Sequence, residues 1–316
     1  MSVDVLGEPY EARTLRFPDD YEGEVVATLV RRACPEPSNR AVLYVHGFVD
    51  YFFQTQLADW YVERGFHFYA LDLRKCGRST LPHQTPHFCR DLSEYFAEID
   101  EAVRIIREED GNSVLLLNAH STGGLTASLW AHRVRDRDLV DAMFLNSPFF
   151  DFNASRLLRM VAGPVIDALG ARRPGITMPF KLTDLYARSI HASANGEWDF
   201  DLTWKPIEPW PVRSGWLRAI RLGHRQLHQG LDIRCPVLVM CSAESSRPRA
   251  WNEVIRRTDS VLDVAQIARW APNLGRHVTL IRVEGAIHDL VLSAAPVRER
   301  VFAELDRWVN AYLPKS

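Results

Sequence analysis

Short apolar runs alternate with stretches of helical spacing along most of this chain. Residues 13–31 alternate loosely between apolar and polar, with Asp19, Asp20 and Gly23 as turn signals, and predict two opening strands. Residues 41–45 form a short apolar run that predicts a buried strand. Helical spacing over residues 50–64 follows, closed by Gly65, and then a second run at 66–71. Asp91-Leu92-Ser93-Glu94 has the form of a capping box, and the amphipathic pattern after it predicts a helix to about Glu109, with Gly111 beyond its end. Runs at 114–118, 139–145, 236–240 and 277–283 complete eight predicted strands. Asp263-Val264-Ala265-Gln266 reads as a second capping box, opening a helix to Trp270. A closing helix over 296–312 puts Val297, Val301, Leu305, Trp308 and Tyr312 on one face.

Strands that alternate with helices predict a mostly parallel sheet covered on both faces, with sites at the carboxyl ends of the strands. The pattern changes over residues 149–230. Helical pieces at 155–169 and 183–193 are expected to be broken by Pro164, Pro174, Gly175 and Pro179, and the segment 198–216 is rich in tryptophan and proline. Such an insertion between the sixth and seventh strands predicts a helical cap (149–230) over a core built from 1–148 and 231–316.

Composition narrows the function classes. A formal net charge of −2 over 316 residues leaves no basic footprint for nucleic acid. The five cysteines are odd in number and never spaced Cys-x-x-Cys, which argues against a disulfide framework or a zinc site and fits a reducing compartment. No apolar run approaches a membrane span, and the first residues lack the basic and apolar regions of a signal peptide. The expectation is a cytoplasmic protein without integral membrane association, cofactor or metal.

The chemistry centres on Ala119-His120-Ser121-Thr122-Gly123, between an apolar run and a helical segment. A serine with small residues two positions away on each side reads as a nucleophile elbow, where strand and helix backbones nearly touch. A serine nucleophile needs a base, and His288, in a loop after the last strand, is the strongest candidate. His46 and His120 read as structural, the latter with its side chain pointing away from the serine, and nothing singles out His83 or His87. The base needs an acid. Asp259 is preferred because Asp263 is already engaged as a cap; Glu244, immediately after a strand, is its rival, and Asp263 and Asp151 stay open. An oxyanion needs two backbone donors, assigned to the N–H of Thr122 and the N–H of Phe48 in the His46-Gly47-Phe48 loop.

These segments, with Asp72-x-Arg74-x-x-Gly77-Arg78-Ser79 and Gly285-Ala286-Ile287-His288-Asp289, resemble α/β-hydrolases of the monoacylglycerol lipase, lysophospholipase and serine-aminopeptidase-like group. The resemblance implies an α/β-hydrolase fold and cofactor-free hydrolysis of a small-molecule ester through an acyl-serine. Amide, thioester or C–C bond hydrolysis by the same residues, or an idle ligand-binding fold, are the alternatives. Aspartate-nucleophile enzymes are disfavoured because Ser121 holds the elbow. Three departures stand out: Lys75 where that group has Gly, Ala119 in place of the first elbow Gly, and the long stretch 245–258 before Asp259. Trp198, Trp204, Trp210 and Trp216 could wall an acyl pocket or simply pack the cap. Arg213, Arg218, Arg221 and Arg225 are spaced as a solvated helix face, with an anion contact as the alternative.

Overall fold

The computed structural model describes residues 2–152 and 156–313, and only the backbone of 156–161. One sheet of nine strands runs through it: β1 (Ser2–Val3), β2 (Glu11–Asp20), β3 (Gly23–Arg32), β4 (Arg40–Val45), β5 (His67–Asp72), β6 (Val114–His120), β7 (Ala142–Asn146), β8 (Val237–Ser242) and β9 (Val278–Val283). Their order is β1-β2-β3-β5-β4-β6-β7-β8-β9. The eight expected strands are all present. The ninth, β1, is a two-residue edge strand paired at Val3↔Glu11, too short to leave a periodic signal. Counted with it, the insertion falls between the seventh and eighth strands.

Pairing is antiparallel from β1 through β3 to β5 and parallel from β5 onward. The parallel strands are apolar throughout because both faces are covered. Along β4, Ala41, Leu43 and Val45 face one core while Val42 and Tyr44 face the other. The second core is closed by helices α1 (Thr55–Val62) and α8 (Ala295–Tyr312), whose Leu57, Tyr61, Val301 and Leu305 are buried there. The first core is closed by α2 (Phe96–Arg104) and α3 (Thr122–Arg133).

Between β7 and β8 lie α4 (Arg156–Arg172), α5 (Leu185–Ile190) and α6 (Ser214–Gln229), while α7 (Val264–Trp270) precedes β9. Two expectations change here. Pro164 lies inside α4 without ending it, although the expected start at Ser155 falls outside the described residues. And α6 packs on the main core: its Ile220 and Leu227 are fully buried with the first cluster, and Gly223 lies against Leu92, Leu125 and Leu129, where a Cβ would come within 2.8 Å of Leu92.

Smaller differences have local causes. Helix α1 starts at Thr55 and not near Asp50, because residues 50–54 are held in a loop by tertiary bonds such as Phe52 N–H to Asp72 Oδ1 (2.9 Å). The capping box at Asp91 and Glu94 forms as read, opening a 3₁₀ turn that continues into α2 and a π-helical last turn over Ile105–Glu109. At Asp263 only half of the box forms, with the carboxylate accepting from Ala265 N–H at 3.0 Å. Lys75 adopts φ 63°, the left-handed conformation open to the glycine it replaces, and its buried ammonium lies 2.8 Å from both Asp20 and Glu22.

Candidate active site

Ser121 sits between β6 and α3 at φ 52° and ψ −119°, a strained backbone for any residue but glycine. The turn is tight because β4 passes beneath it. A Cβ on Gly123 would lie 2.2 Å from the His46 carbonyl oxygen and 2.6 Å from that of Val45, so only glycine fits. Ala119 meets no such limit; its methyl points into the first core and is fully buried. That is why the first elbow position tolerates alanine and the second does not.

His288 follows β9 in a loop that turns at Gly285 (φ 74°). Its Nε2 lies 3.1 Å from Ser121 Oγ and its Nδ1 2.9 Å from Asp259 Oδ2. A carboxylate can only accept, so Nδ1 carries the proton and Nε2 is left to accept from the serine hydroxyl. Asp259 is fully buried, and its Oδ1 accepts from the N–H groups of Val261 and Leu262, each at 2.8 Å. The stretch 245–258 that separated Glu244 from Asp259 in sequence is an excursion that returns to its origin. Ser245 bridges Asp259 in parallel, and Asp259 N–H donates to the Glu244 carbonyl at 2.9 Å. The two rival acids are therefore neighbours, and the turn sends Asp259 inward while Glu244 is exposed. Asp263 caps α7, and Asp151 accepts from Trp270 Nε1 at 3.2 Å.

The other histidines take different roles. His46 accepts from Leu73 N–H at 3.1 Å and so ties the ends of β4 and β5 together. His120 does not point away as expected; its ring lies 4.9 Å from that of His288 and lines the same cavity, with Nδ1 donating to the Asn146 carbonyl. Burial lowers its pKa. His87, which nothing in the sequence singled out, is buried edge-on to Phe48, and burial with neighbouring His46 pushes its pKa down to about 3.

Ser121 and His288 open into a cavity of about 340 Å³. Thr122 is the first residue of α3, where an N–H has no acceptor within the helix, and both it and Phe48 line the cavity beside Ser121. The remaining wall is mainly apolar, with Phe149, Phe180, Leu182, Val212, Trp216 and Leu217 from the segment after β7. Of the four tryptophans only Trp216 takes part, its ring 4.1 Å from that of Phe48. Trp198 and Trp204 pack instead beside Tyr51, Phe53 and Phe200. None of the four arginines reaches the cavity: Arg221 and Arg225 pair with Asp167, and Arg213 donates to Gly175 and Thr177.

Three lining residues were not visible in the sequence. Tyr186 of α5 packs edge-on against the His288 ring at 5.4 Å, and Asp289 N–H donates to its hydroxyl at 3.2 Å. Lys205 and Asp50 form a buried ion pair at 2.9 Å. Burial works to raise the Asp50 pKa, but the Lys205 ammonium, with His120 and His46, holds it below the ordinary value. Among the described residues no cluster of His, Cys, Asp and Glu is arranged to hold a metal ion, and no helix is long and apolar enough to cross a membrane.

Comparison with solved structures shows the same fold elsewhere. A soluble variant of monoglyceride lipase from Saccharomyces cerevisiae, in complex with a substrate analog, aligns over 99% of this chain and 98% of its own, with 14% identity and a TM-score of 0.70. Monoacylglycerol lipase from Paleococcus ferrophilus aligns over 90% and 99%, with 18% identity and a TM-score of 0.65. A thermostable carboxyl esterase from Bacillus coagulans aligns over 96% and 99%, with 13% identity and a TM-score of 0.63. No curated protein sequence matches significantly. The family model described as "Serine aminopeptidase, S33" matches residues 36–244, from the start of β4 through the elbow to the end of β8. With that match spanning more than half of its length, the chain belongs to the serine aminopeptidase S33 family of α/β-hydrolases.

Proposed function

We propose that this protein is a serine hydrolase that cleaves carboxylic esters with apolar acyl groups. The observation that carries the reading is the continuous Ser121–His288–Asp259 hydrogen-bond relay opening onto a largely apolar cavity. His288 takes the proton of Ser121 as the hydroxyl attacks the ester carbonyl. The tetrahedral oxyanion is held by the N–H groups of Phe48 and Thr122, and His288 returns the proton to the departing alcohol. Water, activated by the same imidazole, then releases the acid from the acyl-serine. The described part of the insertion before α6, with Phe180, Leu182 and Val212 on the cavity wall, acts as the cap that walls the acyl group from solvent. The lipases and the esterase of similar fold are named for ester substrates, which agrees with this class.

The family description raises the cleavage of peptides from a free amino terminus. A cationic amine would need an uncompensated carboxylate in the cavity. The one carboxylate among the described lining residues, Asp50, is neutralised by Lys205. Ester cleavage is the better fit. The five cysteines are all free thiols, which supports a reducing compartment.

The test is covalent labelling with a fluorophosphonate probe together with hydrolysis of p-nitrophenyl esters. Wild type is labelled at Ser121, and Ser121→Ala loses both label and turnover, the latter by about 10⁴-fold or more. Retention of either activity in Ser121→Ala refutes the reading.

A further inference from the structure

The loop that carries Phe48 is held from across the cavity by a residue of the insertion. Immediately after Phe48, Val49 lies at φ 50°, in the left-handed region that a β-branched side chain rarely adopts. Nothing in the local sequence favours that conformation. Glycine would adopt it freely; valine needs its surroundings to impose it. Lys205 supplies the constraint. Its Nζ donates to the Val49 carbonyl at 3.2 Å and to Asp50 Oδ1 at 2.9 Å, so one ammonium grips two successive residues just beyond the donor. Lys205 is itself 7% exposed, on the cavity wall between Trp204 and Pro206.

The neighbouring contacts fix that lysine in turn. Lys205 N–H and Trp204 N–H both donate to the Asp201 carbonyl, and Asp201 N–H donates to Tyr51 Oη at 2.7 Å. Phe48 is flanked by Trp216 of α6 and by His87. The insertion thus supplies the side chain that pins the strained residue.

We propose that Lys205 is a positioning residue for the oxyanion loop: by holding the Val49 carbonyl and the Asp50 carboxylate, it keeps Val49 left-handed and the Phe48 N–H aimed at the cavity. A docked insertion and a formed oxyanion site are then one event. This inference rests on the reading of Ser121 as an acyl-forming nucleophile.

The test removes the grip without leaving a charge stranded. In Asp50→Asn/Lys205→Met both members of the buried pair become neutral. The loop relaxes, and kcat for a p-nitrophenyl ester falls by an amount approaching that for one lost oxyanion donor, on the order of 10²-fold. KM changes by less than about threefold, since the loss is confined to the transition state. Adding Val49→Gly to that variant removes the need for the grip and restores most of kcat. A lysine that merely stabilised the fold would show no such rescue.

If the double variant does not fold, Asp50→Asn/Lys205→Gln, which keeps both positions neutral and polar but lacks the ammonium that spans the Val49 carbonyl and residue 50, takes its place, with a smaller loss and the same rescue. A wild-type kcat in the variant, or a rise in KM with kcat intact, overturns the proposal; the second result would make Lys205 a substrate contact. A loss of kcat that Val49→Gly does not relieve also overturns it. Fluorophosphonate labelling separates the two levels of argument. No label on wild-type Ser121 defeats the hydrolase reading, whereas equal labelling rates for wild type and variant defeat only the role of Lys205.

Discussion

Replacing Asp259 by asparagine is the sharpest probe of the relay, because the surroundings dictate how the amide must sit. Asp259 Oδ1 accepts from two backbone N–H groups at 2.8 Å, so the oxygen of the introduced amide has to take that position and its NH₂ has to face His288. The NH₂ can only donate. His288 Nδ1 must then accept, the ring proton moves to Nε2, and the nitrogen 3.1 Å from Ser121 Oγ can no longer take the serine proton. An imidazole locked in the wrong tautomer by this substitution costs about 10⁴-fold in kcat in serine proteases, or about 5 kcal/mol of barrier. Stability should change little, since both backbone bonds to Oδ1 survive. Alanine would be a poorer choice, because it leaves the Val261 and Leu262 N–H groups without their acceptor, the buried one of Leu262 at a cost of about 1–3 kcal/mol. The assay is kcat/KM for a p-nitrophenyl ester, with thermal denaturation as the control. Less than a tenfold loss in Asp259→Asn, or an equal loss in Glu244→Gln, refutes the assignment of the acid.

Three further outcomes follow from the geometry. Gly123→Ala should abolish activity and yield of folded protein, whereas Ala119→Gly should keep the activity and lose only about 0.5–1 kcal/mol of stability in urea titrations; equal tolerance at the two positions contradicts the account of the elbow. His87 takes up a proton below about 6.5 when unfolded but not until about 3 when folded, so stability present above pH 6.5 is lost as the pH falls through that window. Between pH 7 and pH 5 the loss from this residue is about 2 kcal/mol, and His87→Asn, whose side chain tolerates the left-handed backbone, should flatten that slope. An unchanged slope counts against the burial of a neutral imidazole. Lys75→Met should destabilise the fold by about 1–3 kcal/mol, because it leaves the partly exposed Glu22 without its cation and Asp20 with Arg74 at 3.9 Å, and leave ester turnover at 25 °C intact. A melting temperature equal to wild type would sink that reading.

What the sequence revealed and what it hid divide along chain distance. Ser121 and His288 were legible because their signals are local: small residues around a strand-to-helix turn, and a histidine in the loop after the last strand. The strands were legible for the same reason, as apolar runs buried on both faces. Asp259 could be ranked but not fixed, because residues 246–258 leave the sheet and return, a path with no periodic signature. Lys205 and Asp50 are 155 residues apart and meet only in three dimensions. A lysine in a proline- and tryptophan-rich stretch gives no sign of its partner. Tyr186 is hidden likewise, and the arginine spacing over 213–225 suggested a solvated helix face without showing which core α6 joins. The edge strand β1 was missed because two residues cannot display a period.

The excursion before Asp259 has a consequence for how this protein can vary. Both of its ends are pinned, by the Ser245↔Asp259 bridge and the bond from Asp259 N–H to the Glu244 carbonyl, so the placement of the carboxylate does not depend on the length of chain between them. At its exposed tip, residues 249–250, length can vary without disturbing the relay, whereas Ile255 further along is fully buried and fixed by its packing. That tip is therefore a natural port: a peptide tag or reporter spliced in there would ride beside the Ser121–His288–Asp259 relay and leave the placement of the carboxylate unchanged.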